Sequence, residues 1–312
     1  MDMREAPSVF LDREGPMKRK RILIGLGVIA ALLIFFFAVL FFIGRHSGGK
    51  TGRFAFGDKI AVVEVKGVIT QSSGVIEEIE QYTADEGVKA IILRVDSPGG
   101  GVGPSQEIYR EIMRIKSNSK KKVVTSMGSV AASGGYYIAA ASDLIVANPG
   151  TITGSIGVIM QFSNLEELLR KIGVKGVVIK SGEHKDIGSP FREMTPEEKR
   201  LMQDVLDNVH EQFIQAVAEG RRMDRAKVAQ IADGRILTGE QAKNLGLVDE
   251  LGNLQDTIDI TAKLAGIVGK PNVLYPKKRL SIWELLMRDM ASAVVDILNE
   301  RGYEINFPLQ MR

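Results

Sequence analysis

The stretch AIILRVDSPGGGVGPSQEIYREIMRIK, residues 90–116, reads as strand, turn and helix in succession. Its first seven residues form an apolar, β-branched run, interrupted only by Arg94, that ends at Asp96. Ser97 and Pro98 then break the run, and three consecutive glycines lead into a helical pattern from Pro104 to Lys116 with Ile108, Ile112 and Ile115 on one face. A strand that is apolar on both faces needs cover on both, which is the habit of a parallel sheet flanked by helices. Outward from this unit, IAVVEVKGVIT (60–70), KVVTSM (122–127), DLIVAN (143–148) and GVVIKSG (176–182) are expected strands. Thr195-Pro196-Glu197-Glu198 is a capping box with proline at the first helical position. The helix it opens carries Leu201, Val205, Val209, Phe213 and Val217 at i, i+4 spacing. No repeat of fixed period is visible, and the pattern predicts an α/β fold with one main domain.

Composition sets outer limits. The chain has 312 residues, 45% of them apolar and 25% charged, with a net charge of +3. That charge is too small to argue for nucleic acid, and no Lys/Arg stripe with interleaved aromatics is present. The absence of cysteine excludes disulfides, thiolate catalysis and Cys-based zinc sites. The histidines, His46, His184 and His210, are not paired at metal-ligand spacing, so a histidine-rich metal site is not expected.

Ile22 to Ile43 is uncharged and apolar throughout, about the length that crosses a ~30 Å hydrocarbon core as a helix. Lys18, Arg19, Lys20 and Arg21 precede it, so the N-terminus is expected in the cytoplasm and the rest of the chain across the membrane. The run is too long for a signal-peptide core and ends in Gly44-Arg45-His46 rather than a small-x-small site. The expected organisation is a cytoplasmic tail (1–21), a single transmembrane anchor (22–43), a glycine-containing linker (44–57), a main domain (58–270) and a C-terminal helical extension (271–312). In the extension, residues 281–302 place Trp283, Leu286, Met287, Met290, Val294, Ile297 and Leu298 on one helical face. That stripe suits its own domain, a subunit contact or a membrane surface.

Two segments carry candidate chemistry. Glycines let the backbone of residues 99–101 approach a ligand closely, and exposed amides there can hold a phosphate or a developing oxyanion. The spacing matches neither a P-loop nor a dinucleotide fingerprint. In GSVAASGGYYIAAASD (128–143), Ser133 falls where a strand gives way to a helix, with Gly134 supplying an amide at close range. A serine nucleophile needs a base. His46 lies beside the expected span and His210 reads as a solvated helical position, which leaves His184 and its neighbour Lys185. A lysine serves as base when burial and donors hold it neutral.

Together, VDSPGGGV (95–102), GSVAASGGYYIAAASD, TITGSIGV (151–158) and HKDIGSPFREMTPEE (184–198) closely resemble the short form of the signal peptide peptidase A family, over roughly residues 58–260. The resemblance implies a membrane-anchored serine–lysine peptidase with a Clp protease/crotonase-like parallel sheet surrounded by helices. It implies Ser133 as nucleophile, Lys185 as general base and Ser155 as the hydroxyl that orients the lysine. Backbone N–H groups at Gly100 and Gly134 would form the oxyanion hole. Ser97, Ser129 and His184 are then structural, while Asp96 and Pro98 shape the glycine turn. The implied substrates are remnant signal peptides, and the implied assembly is a homo-oligomeric ring in which neighbouring subunits share dyad residues. Location in the inner (cytoplasmic) membrane, with the catalytic domain on the extracytoplasmic side, follows from anchor and family together. The rival readings are a catalytically inactive membrane scaffold of the same fold and a crotonase-type acyl-CoA enzyme.

Overall fold

A computed structural model describes residues 58–276, together with Ile34 and Phe35. The expected tail, anchor and linker, and the 281–302 helix, lie outside the described residues apart from those two positions. Among the described residues no helix is long and apolar enough to cross a membrane.

The 90–116 unit folds as its sequence dictates. Strand β2 (Val88–Gly100) runs through the glycines and passes into helix α2 (Val102–Asn118). Strand β1 (Lys59–Ile69) pairs with β2 in parallel, and β2 pairs in parallel with β3 (Lys122–Ala132). Alternation along these strands sends side chains to opposite faces. Ala61, Val63, Ile91 and Leu93 join Ile79 of α1 (Ser73–Ala84) and Ile108, Ile112 and Ile115 of α2 in the main core. Ile60, Val62 and Ile92 face the other way and pack against Ile258 and Ala262 of the later helix α8 (Leu254–Leu264). Both faces of the sheet are therefore covered, which is why its strands are apolar on both sides.

The strand order is β6-β5-β3-β2-β1-β8, with β4 and β7 branching from β3. Strand β3 divides its pairing: Val124 to Ser126 lie beside β4 (Leu144–Ala147), and Val130 to Ala132 lie beside β5 (Ile152–Gly154). Only β5 with β6 (Ile236–Thr238) is antiparallel. Strand β7 (Glu250–Leu251) pairs with β4. Strand β8 (Asn272–Leu274) pairs with β1, so the sheet takes in residues just beyond position 270. This mixed α/β architecture, parallel but for one pair, fits the Clp/crotonase-like expectation.

Helix α3 (Gly134–Ala140) is buried at every residue, as a helix apolar all round must be. Tyr136 inside it donates its hydroxyl to the Leu247 carbonyl (2.9 Å), and burial raises its pKa above the usual phenol range. The shorter helix α4 (Glu166–Lys171) precedes α5 (Pro196–Arg221), whose Thr195 accepts from the Glu198 amide in the expected capping box. Helices α6 (Arg225–Ile231) and α7 (Gly239–Asn244) complete the order before α8.

Two sequence expectations are corrected. Residues 176–182 form no strand: Val177 and Ile179 are 85% and 96% exposed, and no neighbouring strand pairs with them. A β-branched run becomes a strand only against partners and a face to bury. The apolar stripe of α5 is buried only in its second half. Phe213 and Val217 enter the core, where α5 packs against α3 and α6, while Leu201 and Val205 lie before that contact and stay exposed.

Candidate active site

Ser133 stands at the junction of β3 and α3 with φ 53° and ψ −121°. A non-glycine residue in that region costs on the order of 1–3 kcal/mol and persists only where its surroundings dictate it. Here they do. The Ser133 amide donates to the Gly154 carbonyl (2.9 Å), and its own carbonyl accepts from the Tyr137 amide (2.8 Å). The turn is thus held from both sides while the hydroxyl makes no hydrogen bond among the described residues. Helix α3 answers two needs at once: its small residues pack in the core, and its start presents a half-buried serine.

The glycine turn of β2 lies against this serine. A Cβ built at Gly99 would sit 2.7 Å from the Gly134 nitrogen and 2.9 Å from the Ser133 Cβ. One at Gly100 would sit 2.3 Å from the Ile69 carbonyl oxygen, and one at Gly134 would sit 3.3 Å from the Gly100 nitrogen. A side chain at Gly99 would wedge the two turns apart, one at Gly100 would press on the β1 backbone, and one at Gly134 would meet the Ser105 hydroxyl. The chain satisfies the requirement with glycine, and at Gly99 the φ of 101° needs it as well. Ser97 accepts from the Gly99 amide (3.0 Å), and Asp96 accepts from the Val130 amide (3.1 Å), tying the end of β2 to β3. Ser97 holds the glycine turn itself, whereas Asp96, expected to shape that turn, bonds across to β3.

A cavity of about 100 Å³ opens beside Ser133, with Gly100, Gly134 and Ser105 on its polar side. Val102, Tyr137, Val158, Ile159, Val209 and Phe213 supply the apolar remainder. Tyr137 packs edge-on to Tyr109 (centroids 5.2 Å) and tilted against Phe213 (4.8 Å), which fixes the cavity floor. Ser155 follows Gly154, so a single backbone hydrogen bond links its strand to Ser133. Its φ of 50° makes it another of the three described non-glycine residues with positive φ, the third being Arg222.

Ser133, Gly100 and Gly134 are therefore brought together at the cavity; Ser155 is tied to the serine turn only through the backbone of its neighbour Gly154, and neither Ser155 nor Lys185 is among the residues that line the cavity. It lies exposed, as does His184, in the loop between α4 and α5. The loop is fastened next door: Arg192 donates to both Asp186 oxygens (2.8 Å each) and to Glu198 (2.8 Å to Oε2). Lys180 adds a 2.6 Å bond to Asp186. Hydrogen bonds from Arg192 and then Lys180 hold the Asp186 carboxyl far below its ordinary range. Those from Arg192 and the Thr195 amide lower Glu198 to about 2. His210 is half-buried rather than solvated, with Nε2 shielded and unbonded. Among the described residues no three His, Asp or Glu side chains gather to hold a metal ion.

Sequence reasoning passed over Ser105, Tyr137, Val209 and Phe213, whose lining role depends on how α2, α3 and α5 converge. It also missed the clamp, because Asp186 and Arg192 lie in an irregular loop where sequence spacing does not report proximity.

A serine on a strained strand-to-helix turn, facing glycine amides above a small apolar cavity, is the arrangement of an acyl-transfer hydrolase. Residues 115–268, which include Ser133, Ser155 and Lys185, match peptidase family S49. A putative protease of Synechocystis sp. is 47% identical over 211 residues, covering 67% of this chain and 75% of that protein. A putative signal peptide peptidase SppA of Enterococcus faecium is 35% identical over 239 residues, covering 73% and 69%. Protease 4 of Salmonella typhi is 36% identical over 223 residues, 72% of this chain but only 36% of that longer protein. The chain belongs to peptidase family S49 and is an SppA-like serine peptidase.

Proposed function

We propose that this chain is a membrane-anchored endopeptidase that cleaves apolar peptides, remnant signal peptides foremost, through a Ser133/Lys185 dyad. The observation that carries the reading is Ser133 itself: strained, half-buried, its hydroxyl bonded to no described residue, on one cavity with Gly100 and Gly134. Neutral Lys185 takes the Ser133 proton as Oγ bonds to the peptide carbonyl carbon. The amides of Gly100 and Gly134 stabilise the resulting oxyanion. As the C–N bond breaks, the lysine ammonium gives its proton to the leaving amine, leaving an acyl-enzyme. Water then loses a proton to Lys185 and attacks the ester; as the C–O bond to Ser133 breaks, the lysine ammonium returns that proton to Oγ, freeing Ser133 and the neutral amine. Ser155 orients the lysine amine. No cofactor enters these steps.

The position of Lys185 supports a dyad shared between copies of the chain. Its loop is clamped to the start of α5, while Val209 and Phe213 of the same helix line the cavity. At 1.5 Å per residue, roughly 17 Å of helix separates Glu198 from Val209. The exposed apolar residues Ile159, Phe162, Leu168, Val177 and Ile179 between cavity and base loop are surface that a neighbouring copy would cover, in keeping with a ring. The uncharged run Ile22–Ile43 with its preceding basic cluster supports a single-pass anchor in the cytoplasmic membrane and a catalytic domain on the far side.

The test is a peptidase assay on full-length protein in detergent, beside Ser133→Ala, with a serine-reactive phosphonate as label. Activity and labelling should both vanish in Ser133→Ala. Undiminished activity in that variant would remove the reading.

A further inference from the structure

The FREMTPEE portion of the fourth motif, residues 191–198, has no part in the chemistry proposed above, yet it holds the most heavily bonded side chain of that loop. Arg192 meets two carboxylates at once, using Nε and Nη2 for Asp186 and both Nη atoms for Glu198. The Glu198 side chain is 5% exposed and belongs to the cap of α5, where its carboxylate also accepts from the Thr195 amide (2.9 Å). Asp186 is the residue next to Lys185. Lys180 grips Asp186 from the other side and reaches the Glu183 carbonyl (2.6 Å), so the bonds close around the base on both flanks. No other fastening of comparable density holds residues 174–193, which are otherwise irregular and largely exposed.

We infer that Arg192 is a positioning residue for the general base: it ties the Lys185 loop to the rigid start of α5 and so fixes where the lysine amine is presented. The inference rests on the dyad reading above. A planar guanidinium can engage two carboxylates through paired donors, and a lysine ammonium cannot reproduce that fork. A base held on an irregular loop needs such a fixture, because displacement of about 1 Å at a reacting group can cost ~10²-fold in rate.

The test measures kcat and KM on full-length, detergent-solubilised protein for Arg192→Ala, Arg192→Lys and Asp186→Asn, with thermal melts alongside. Arg192→Ala should lose ~10²-fold in kcat with KM within about twofold, and added guanidinium ion should restore part of the loss. Arg192→Lys should fall between it and wild type. Asp186→Asn leaves Arg192 on Glu198 and the helix cap intact, so it reports even where Arg192→Ala fails to fold; it should lose about tenfold in kcat. Wild-type kcat in Asp186→Asn, or activity in Arg192→Ala that falls only with the melt and ignores guanidinium, overturns the inference. Lys185→Ala is the separate control. If it remains active the dyad reading falls and takes this inference with it, whereas a dead Lys185→Ala beside wild-type-like Asp186→Asn overturns the inference alone.

Discussion

Ser133 and Lys185 sit in opposite kinds of structure. The serine's turn is fixed from every side: β3 delivers it, Gly154 and Tyr137 hold its backbone, and the Gly99–Gly100 turn fills the space against it. The lysine's loop has no sheet, little burial and one ionic clamp. The proposed mechanism requires nucleophile and oxyanion donors to agree to within fractions of an ångström, and Ser133, Gly100 and Gly134 lie where packing enforces that. The proposed base lies instead on a largely exposed loop, a surface that a neighbouring copy would cover under that proposal. A hydrolase whose dyad forms between subunits keeps its nucleophile idle until assembly.

The contrast breaks most sharply at the dyad. Ser133→Ala and Lys185→Ala should each lose at least about 10³-fold in kcat/KM while melting as wild type, whereas His184→Ala should retain most activity. A dead His184→Ala with an active Lys185→Ala would reverse the assignment of the base.

Next in size come the glycines, where the rigid side should show in stability as well. Gly100→Ala would press a methyl onto the Ile69 backbone and should cost about 3 kcal/mol in chemical denaturation, with activity lost. Gly134→Ala instead meets the Ser105 hydroxyl at 2.5 Å, a side chain that can be removed. The double variant Gly134→Ala/Ser105→Ala should therefore recover part of the stability lost by Gly134→Ala. Equal losses in single and double variants would mean that the backbone, not Ser105, sets the limit.

The two regions also differed in how far sequence could foretell them. The nucleophile turn was legible because its signals are local: β-branched strands, a serine before paired glycines, three glycines after Ser-Pro. The capping box at Thr195 and Glu198 was legible for the same reason. Residues 176–182 misled because β-branched residues in sequence cannot say whether a strand lies beside them. The stripe from Leu201 to Val217 gave the face of α5 but not the point at which its contact with α3 and α6 begins. Whether Lys185 reaches Ser133 is a matter of separation in space, which motif order does not encode.

Smaller effects sharpen the looser side. The lowered carboxyls of Asp186 and Glu198 bind protons more weakly folded than unfolded, so their contribution is complete above the unfolded values and is lost as pH falls through the folded ones. Melting temperature should hold steady down to about pH 4.5 and then drop toward pH 2, with a shallower drop in Asp186→Asn. The exposed half of α5 should matter least to the fold: Leu201→Gln with Val205→Gln should change denaturation by no more than about 0.5 kcal/mol per site. If that face is covered in the assembly, the same pair should shift detergent-solubilised protein toward smaller species.

The most direct test of a shared dyad is to mix the two dead variants. Full-length Ser133→Ala and Lys185→Ala, each inactive alone, are co-solubilised, allowed to exchange subunits and assayed for peptidase activity. A dyad assembled across copies predicts activity in the mixture, from sites that pair Ser133 of one variant with Lys185 of the other. A mixture that exchanges subunits, shown by cross-linking of differently tagged chains, and yet stays inactive would contradict it.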